Sequence, residues 1–281
     1  MNKRILKLAL PNIISNITVP LLSMVDMALV GHLDSAAYIG AISYAGMILN
    51  FLYWNFGFLR MGASGFAAQS YGARNLQEAV NVLMRSLAVA MGVAFLILLF
   101  HPLILRLAFS LVVAGPEIKS YAADYFYIYI WAAPAIMGQY ALTGWFIGMQ
   151  NSRTPMYVAI FVNVLNILMS VTFVYVFKMK IEGVALGSLI AQTLGFLFAF
   201  YICLTRYKRL RKYVKLAILK QLKLFLPFFK VNSDIFLRTL MLVCVTTFFT
   251  SASARMGDMT LVVNSLLMQL FVLFSYMMDG F

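Results

Sequence analysis

Long apolar runs recur along the chain, separated by short polar or basic breaks. That alternation predicts eight membrane-crossing helices, at 8–33, 36–58, 86–107, 121–149, 156–177, 184–204, 235–254 and 261–281. Pro102, Pro116 and Pro155 punctuate the connections, as does Gly72 ahead of Ala73-Arg74-Asn75. Within the first run, Asn12, Asn16, Ser23 and Asp26 recur at steps that return to one helical face, against a background of Ile, Leu, Val, Met and Ala. A polar stripe on a membrane helix turns toward protein interior or a water-filled cavity rather than toward lipid. Pro11 and Pro20 each remove a backbone donor from the same run, so this helix is built to bend.

Composition agrees with the pattern. The chain of 281 residues is 63% apolar and 11% charged, where soluble domains are about a quarter charged. The formal net charge of +13 would suit a nucleic-acid partner only on a solvated basic face. Here Lys and Arg gather in the breaks instead, nine of them in 206–230. The amino terminus, 72–85, Arg153 and 206–230 are basic, whereas the breaks around Asp34, 117–124 and Asp258 carry as many acids as bases or more. The alternation predicts a multi-pass membrane protein whose amino terminus and 206–230 segment face the cytoplasm. The mildly basic 178–182 break is the one dissenter. The segment 206–230 reads either as a surface-lying basic helix drawn to anionic lipid or as a solvated loop. Lys3, Arg4 and Lys7 ahead of an apolar run mimic a signal peptide, but the run is long and has a polar face, so it reads as a retained span. Cys203 and Cys244 each stand alone in apolar surroundings, and His32 and His101 lie far apart at helix ends. They offer no disulfide framework or metal-ligand pair.

A weak internal repeat adds an architecture. Gly31-His32-Leu33-Asp34, an apolar run and Trp54-Asn55-Phe56-Gly57-Phe58 are echoed by Arg255-Met256-Gly257-Asp258, an apolar run and Met278-Asp279-Gly280-Phe281. Such internal symmetry marks transporters built of two lobes. The predicted fold is an all-α polytopic bundle: a six-helix amino lobe at 1–205, a basic cytoplasmic linker at 206–230, and the first two helices of a second lobe at 231–281. The remaining helices of that lobe are expected to be missing.

Several words of the sequence resemble the multidrug and toxic compound extrusion (MATE) transporters, in their DinF-like branch. They are Leu8-Ala9-Leu10-Pro11, Val25-Asp26-Met27-Ala28-Leu29-Val30-Gly31-His32-Leu33 and Phe56-Gly57-Phe58-Leu59-Arg60-Met61-Gly62. Also matching are Gly148-Met149-Gln150-Asn151-Ser152-Arg153-Thr154-Pro155, Asn163-Val164-Leu165-Asn166-Ile167-Leu168 and Asp234-Ile235-Phe236-Leu237-Arg238-Thr239-Leu240. The resemblance implies the amino lobe of a twelve-helix antiporter that exports organic cations or amphiphilic drugs across a bacterial-type inner membrane in exchange for protons or sodium. It further implies a cation site formed by Asp26 on helix one with Asn166, Ser170 and Ser188 on helices five and six, and Pro11 as the bending point. No cofactor is implied beyond a bound H+ or Na+, and no other metal. The family commonly has an acid where this chain has Ser170.

Each candidate has a plainer reading. A fixed ion pair with Arg60 or Arg238 would hold Asp26 without any transport role. Asn163, Asn166 and Ser170 share one face of helix five. They either complete a cation's shell or glue helices by hydrogen bonds, and glue is favoured for Asn163. Asn12, Asn16 and Asn163 are the candidates to line a substrate cavity. Arg238 is expected to pair with Asp234. The aromatic residues of helix four, from Tyr121 to Trp145, either stack cations or pack and form an interfacial belt. No nucleophile triad, zinc spacing, phosphate-binding glycine loop or paired carboxylates point to an enzyme. The expected partners are a small organic cation, membrane lipid and the absent second-lobe helices, with no nucleic acid. The rival functions are a non-transporting truncated remnant and a flippase for lipid-linked sugars.

Overall fold

The computed structural model describes residues 36–111, 115–214 and 233–242, together with Pro11 and isolated positions between 245 and 275. Its helices are α1 (Ala36–Asn55), α2 (Phe58–Gly72), α3 (Leu76–Leu111), α4 (Pro116–Tyr129), α5 (Ala133–Gly148), α6 (Arg153–Val171) and α7 (Ile181–Arg206). A 3-10 turn, Ile130–Ala132, joins α4 to α5. A π turn, Thr172–Val176, extends α6. A second 3-10 turn, Lys208–Tyr213, follows α7. No strand occurs among the described residues.

Three of these helices are long and apolar enough to cross a membrane: Leu76–Ser110, Arg153–Val176 and Ile181–Arg206. They coincide with the spans expected at 86–107, 156–177 and 184–204. The span expected at 121–149 is α4 and α5 end to end. It begins earlier, at Pro116, where a proline costs nothing because the first-turn N–H has no helical partner. The 3-10 break falls just ahead of Pro134, whose missing N–H cannot bond the carbonyl of Ile130.

Two expectations need correction. The span expected at 36–58 does not stop there but restarts as α2 and runs to Gly72. The chain tightens at the join, where the Phe56 N–H donates to the Tyr53 carbonyl at 3.0 Å and the Gly57 N–H to the Trp54 carbonyl at 2.9 Å. The connection expected over 72–85 is mostly the start of α3. Asn75 caps it, its side-chain oxygen accepting from the Glu78 N–H at 3.0 Å. With 36 residues, α3 is about 54 Å long at 1.5 Å per residue, well over the hydrocarbon thickness. Its polar first turns therefore protrude, which is why hydropathy alone misses them. Glu78 and Arg85 form an ion pair there, and Asn81 donates to Glu78 Oε2 at 2.9 Å.

Farther along α3, Pro102 lacks the N–H that would bond the Leu98 carbonyl. The ring of His101 fills that place, with Nδ1 lying 2.7 Å from the Leu98 oxygen.

Helices α6 and α7 lie along one another, α2 and α3 pack on α5, α1 packs on α4, and α4 and α5 both touch α7. One apolar cluster joins α1, α4, the later part of α3 and the start of α7. The other joins the start of α3, the end of α5, the first half of α6 and the end of α7. Outward, Phe95, Leu99, Leu103 and Leu107 form an exposed stripe on α3, Phe95 being 65% exposed. A surface of that kind suits lipid rather than water.

Contact between α2 and α5 depends on small residues. A Cβ on Gly144 would lie 2.2 Å from the Arg60 carbonyl oxygen, and one on Gly148 would lie 2.6 Å from both the Ala67 Cβ and the Ser64 carbonyl oxygen. These two glycines sit four apart, the spacing that lets membrane helices close on each other. Gly144→Ala should therefore lower stability by about 1–3 kcal/mol, the usual cost of overpacking. Gly65→Ala, where a Cβ meets nothing within 4 Å, should be neutral or slightly stabilising. Thermal unfolding of the two variants in detergent checks the order.

Candidate functional site

Three of the four residues expected at the cation site meet between α6 and α7. Asn166 and Ser170 lie four apart on α6, one turn above the other, and Ser188 faces them from α7. All three are buried, at 2%, 0% and 2% exposure respectively. The Asn166 amide nitrogen donates to Ser188 Oγ at 2.9 Å, and Ser170 Oγ donates to Asn166 Oδ1 at 3.3 Å. The neighbouring Gly187 allows this approach: a Cβ there would lie 2.7 Å from Ser170 Oγ and 2.8 Å from the Ser170 nitrogen. Just beyond Ser170 the helix widens into the π turn, a distortion often found beside functional positions.

Asn163 occupies the same face of α6 and is half-buried. Pro11 is helical and buried. Asp26, Asn12 and Asn16 lie outside the described residues. Asp234 and Arg238 are both exposed, and among the described residues the ion pair is Arg85 with Glu78; Asp234 and Arg238 do not pair. The i,i+4 spacing that suggested them gives a surface pair worth little once both side chains are solvated. Of the helix-four aromatics, Tyr125, Phe126 and Trp145 are buried packing residues, and Trp131 is 60% exposed on the outside.

The cluster of Asn166, Ser170 and Ser188 carries oxygen donors and no formal charge. Hydroxyl and amide oxygens suit a hard monovalent cation, or hydrogen-bond a protonated carboxyl group brought against them. Among the described residues no group of His, Cys, Asp and Glu could hold a metal ion.

A second polar contact was not singled out from sequence. The Gln139 amide on α5 donates to both the backbone oxygen and Oε1 of Gln192 on α7, each at 2.9 Å. Gln192 stands four residues after Ser188, so both lie on one face of α7. That spacing inside an apolar run was the available signal.

Apolar helices of membrane-crossing length, an outer surface fit for lipid and a dry polar cluster between two of the helices define a polytopic membrane protein. Comparison with known proteins narrows this. The MatE family model matches residues 11–172. The DNA damage-inducible protein F of Escherichia coli (strain K12) is 35% identical over 287 residues, an alignment spanning 100% of this chain and 61% of that protein. Multidrug and toxin extrusion protein 1 of Oryctolagus cuniculus is 29% identical over 208 residues, covering 71% of this chain and 35% of that protein. A crystal structure of a MATE protein in the straight conformation superposes with a TM-score of 0.84 at 21% identity, over 99% of this chain and 62% of that one. A MOP superfamily transporter from Pyrococcus furiosus Vc1 (DSM3638), described as having a binding pocket of reversed polarity that suggests a different function, gives 0.83 at 20% over the same shares. The chain belongs to the MATE family, in its DinF-like branch, whose members are transporters and not enzymes. It spans less than two thirds of the length of these relatives.

The cluster makes its own stability prediction. Ser188→Ala removes one interhelical bond and should cost about 1 kcal/mol. Gly187→Ala should cost more, because it drives α6 and α7 apart at Ser170 and loses the same bond as well. Unfolding midpoints of the two variants, measured side by side, check that ranking.

Proposed function

We propose that this chain supplies the amino lobe of a cation-coupled antiporter that exports organic cations or amphiphilic compounds across the cytoplasmic membrane. The observation carrying the proposal is the buried Asn166, Ser170 and Ser188 cluster, formed by the residues that the family resemblance assigns to the cation site. Asp26 would supply the charge, and a proton or sodium ion would neutralise it against these oxygens. Helix one would then bend near Pro11, the cavity lined by Asn12, Asn16 and Asn163 would shrink, and the substrate would leave outward. What drives the change is the ion's different affinity for the two shapes. The basic ends of α2, α3, α6 and α7 support a cytoplasmic orientation for that side of the bundle.

A flippase for lipid-linked sugars within the same superfamily is the weaker reading. Its pyrophosphate substrate calls for basic side chains along the interior. Among the described residues Arg74, Arg153 and Arg206 stand at one end instead.

Substrate efflux into everted vesicles by the full-length protein tests the site. Asp26→Asn is expected to abolish ion-driven efflux; efflux that stays unimpaired and pH-responsive rejects the role of Asp26. Ser170 leaves the cluster with no charge of its own, so Ser170→Asp should raise sodium affinity. The readout is a rise in unfolding midpoint with NaCl, over choline chloride, that is larger than in the unaltered protein.

A further inference from the structure

The turn after α7 carries a surface that the transport reading does not use. In a 3-10 helix the side chains three residues apart eclipse one another. Over Lys208–Tyr213 that period sorts the sequence onto distinct faces. Tyr207, Leu210 and Tyr213 fall on one face and are half-buried, while Lys208, Arg209, Arg211 and Lys212 are exposed.

The inward face is held at several points. The Tyr207 ring lies 4.9 Å from Trp145 and 6.0 Å from Phe146, centroid to centroid. Its hydroxyl accepts from the Asn151 amide at 3.1 Å, and burial pushes that phenol above its ordinary pKa, so it stays a neutral group. Leu210 packs against the same apolar cluster. At the far end, the Gln77 amide on α3 donates to the Tyr213 carbonyl at 2.7 Å. Lys212 Nζ rests over the Tyr213 ring, 4.9 Å from its centroid. The turn is thus laid flat on the end of the bundle, with its four cations outward.

Two further observations say what fits there. The turn follows directly from α7, a helix of membrane-crossing length, so it lies at the depth of lipid headgroups. The last turns of α7 leading to it expose Leu197, Tyr201 and Leu204, an apolar stripe against which acyl chains can lie. Within α1 to α7 the one acid at this end is Glu78, already paired with Arg85. We infer that Lys208, Arg209, Arg211 and Lys212 form a binding surface for anionic phospholipid headgroups, with the lipid chains lying along the Leu197, Tyr201 and Leu204 stripe. This inference is independent of ion coupling at Asp26.

The test uses the full chain in nanodiscs of equal parts phosphatidylglycerol and phosphatidylcholine, with retained lipid counted by native mass spectrometry. A basic residue near an anionic surface favours binding by about fivefold. The expected result is phosphatidylglycerol enrichment that falls at least about tenfold in the K208Q/R209Q/R211Q/K212Q variant. The charge-conserving K208R/R209K/R211K/K212R variant should keep it, which separates loss of charge from loss of fold. Equal enrichment in the glutamine variant would overturn the inference, and so would loss of enrichment in the charge-conserving one. Displacement of the lipid by excess inorganic phosphate would make this a free-anion site, and displacement by an acidic peptide a protein-docking site; either also overturns it.

Discussion

In a bilayer, apolar side chains gain nothing from leaving a solvent as apolar as themselves, so helices stay together only where they come close enough to touch along their backbones. That constraint organises this bundle. Gly144 and Gly148 let α2 seat on α5, while Gly187 and Gly195 let α6 seat on α7 beside Ser170 and Val162. The polar cluster follows from the second contact. Asn166 reaches Ser188 because nothing larger than hydrogen stands at the neighbouring position on α7.

The sequence made the long apolar helices legible, because α3, α6 and α7 are unambiguous on hydropathy and length. It concealed α2 for a physical reason: Gly62, Ala63 and Ala67 are too small to raise hydropathy, yet their smallness is what the packing needs. The first turns of α3 were hidden by the opposite property, being polar enough to pass for a loop. Charge patterning predicts which ends are basic but not the ion pair, which among the described residues is Glu78 with Arg85 rather than the expected Asp234 with Arg238.

The candidate site was readable in part. Asn166 and Ser170 show their common face by spacing alone, whereas the pairing with Ser188 came only from family resemblance, since no local pattern links α6 to a particular residue of α7. The Gln139 and Gln192 pair is open to the same periodicity argument, but two isolated glutamines in apolar runs look incidental. Among the described residues the two polar contacts lie on the same side of α7, which makes that helix the common wall of both.

The joint at Pro102 decides how the histidine beside it holds its ring hydrogen. A carbonyl oxygen only accepts, so the ring nitrogen facing Leu98 must hold a hydrogen, which fixes the neutral imidazole of His101 as the Nδ1–H tautomer. The repair stays within α3, so the helix passes its proline without borrowing a donor from a neighbouring helix.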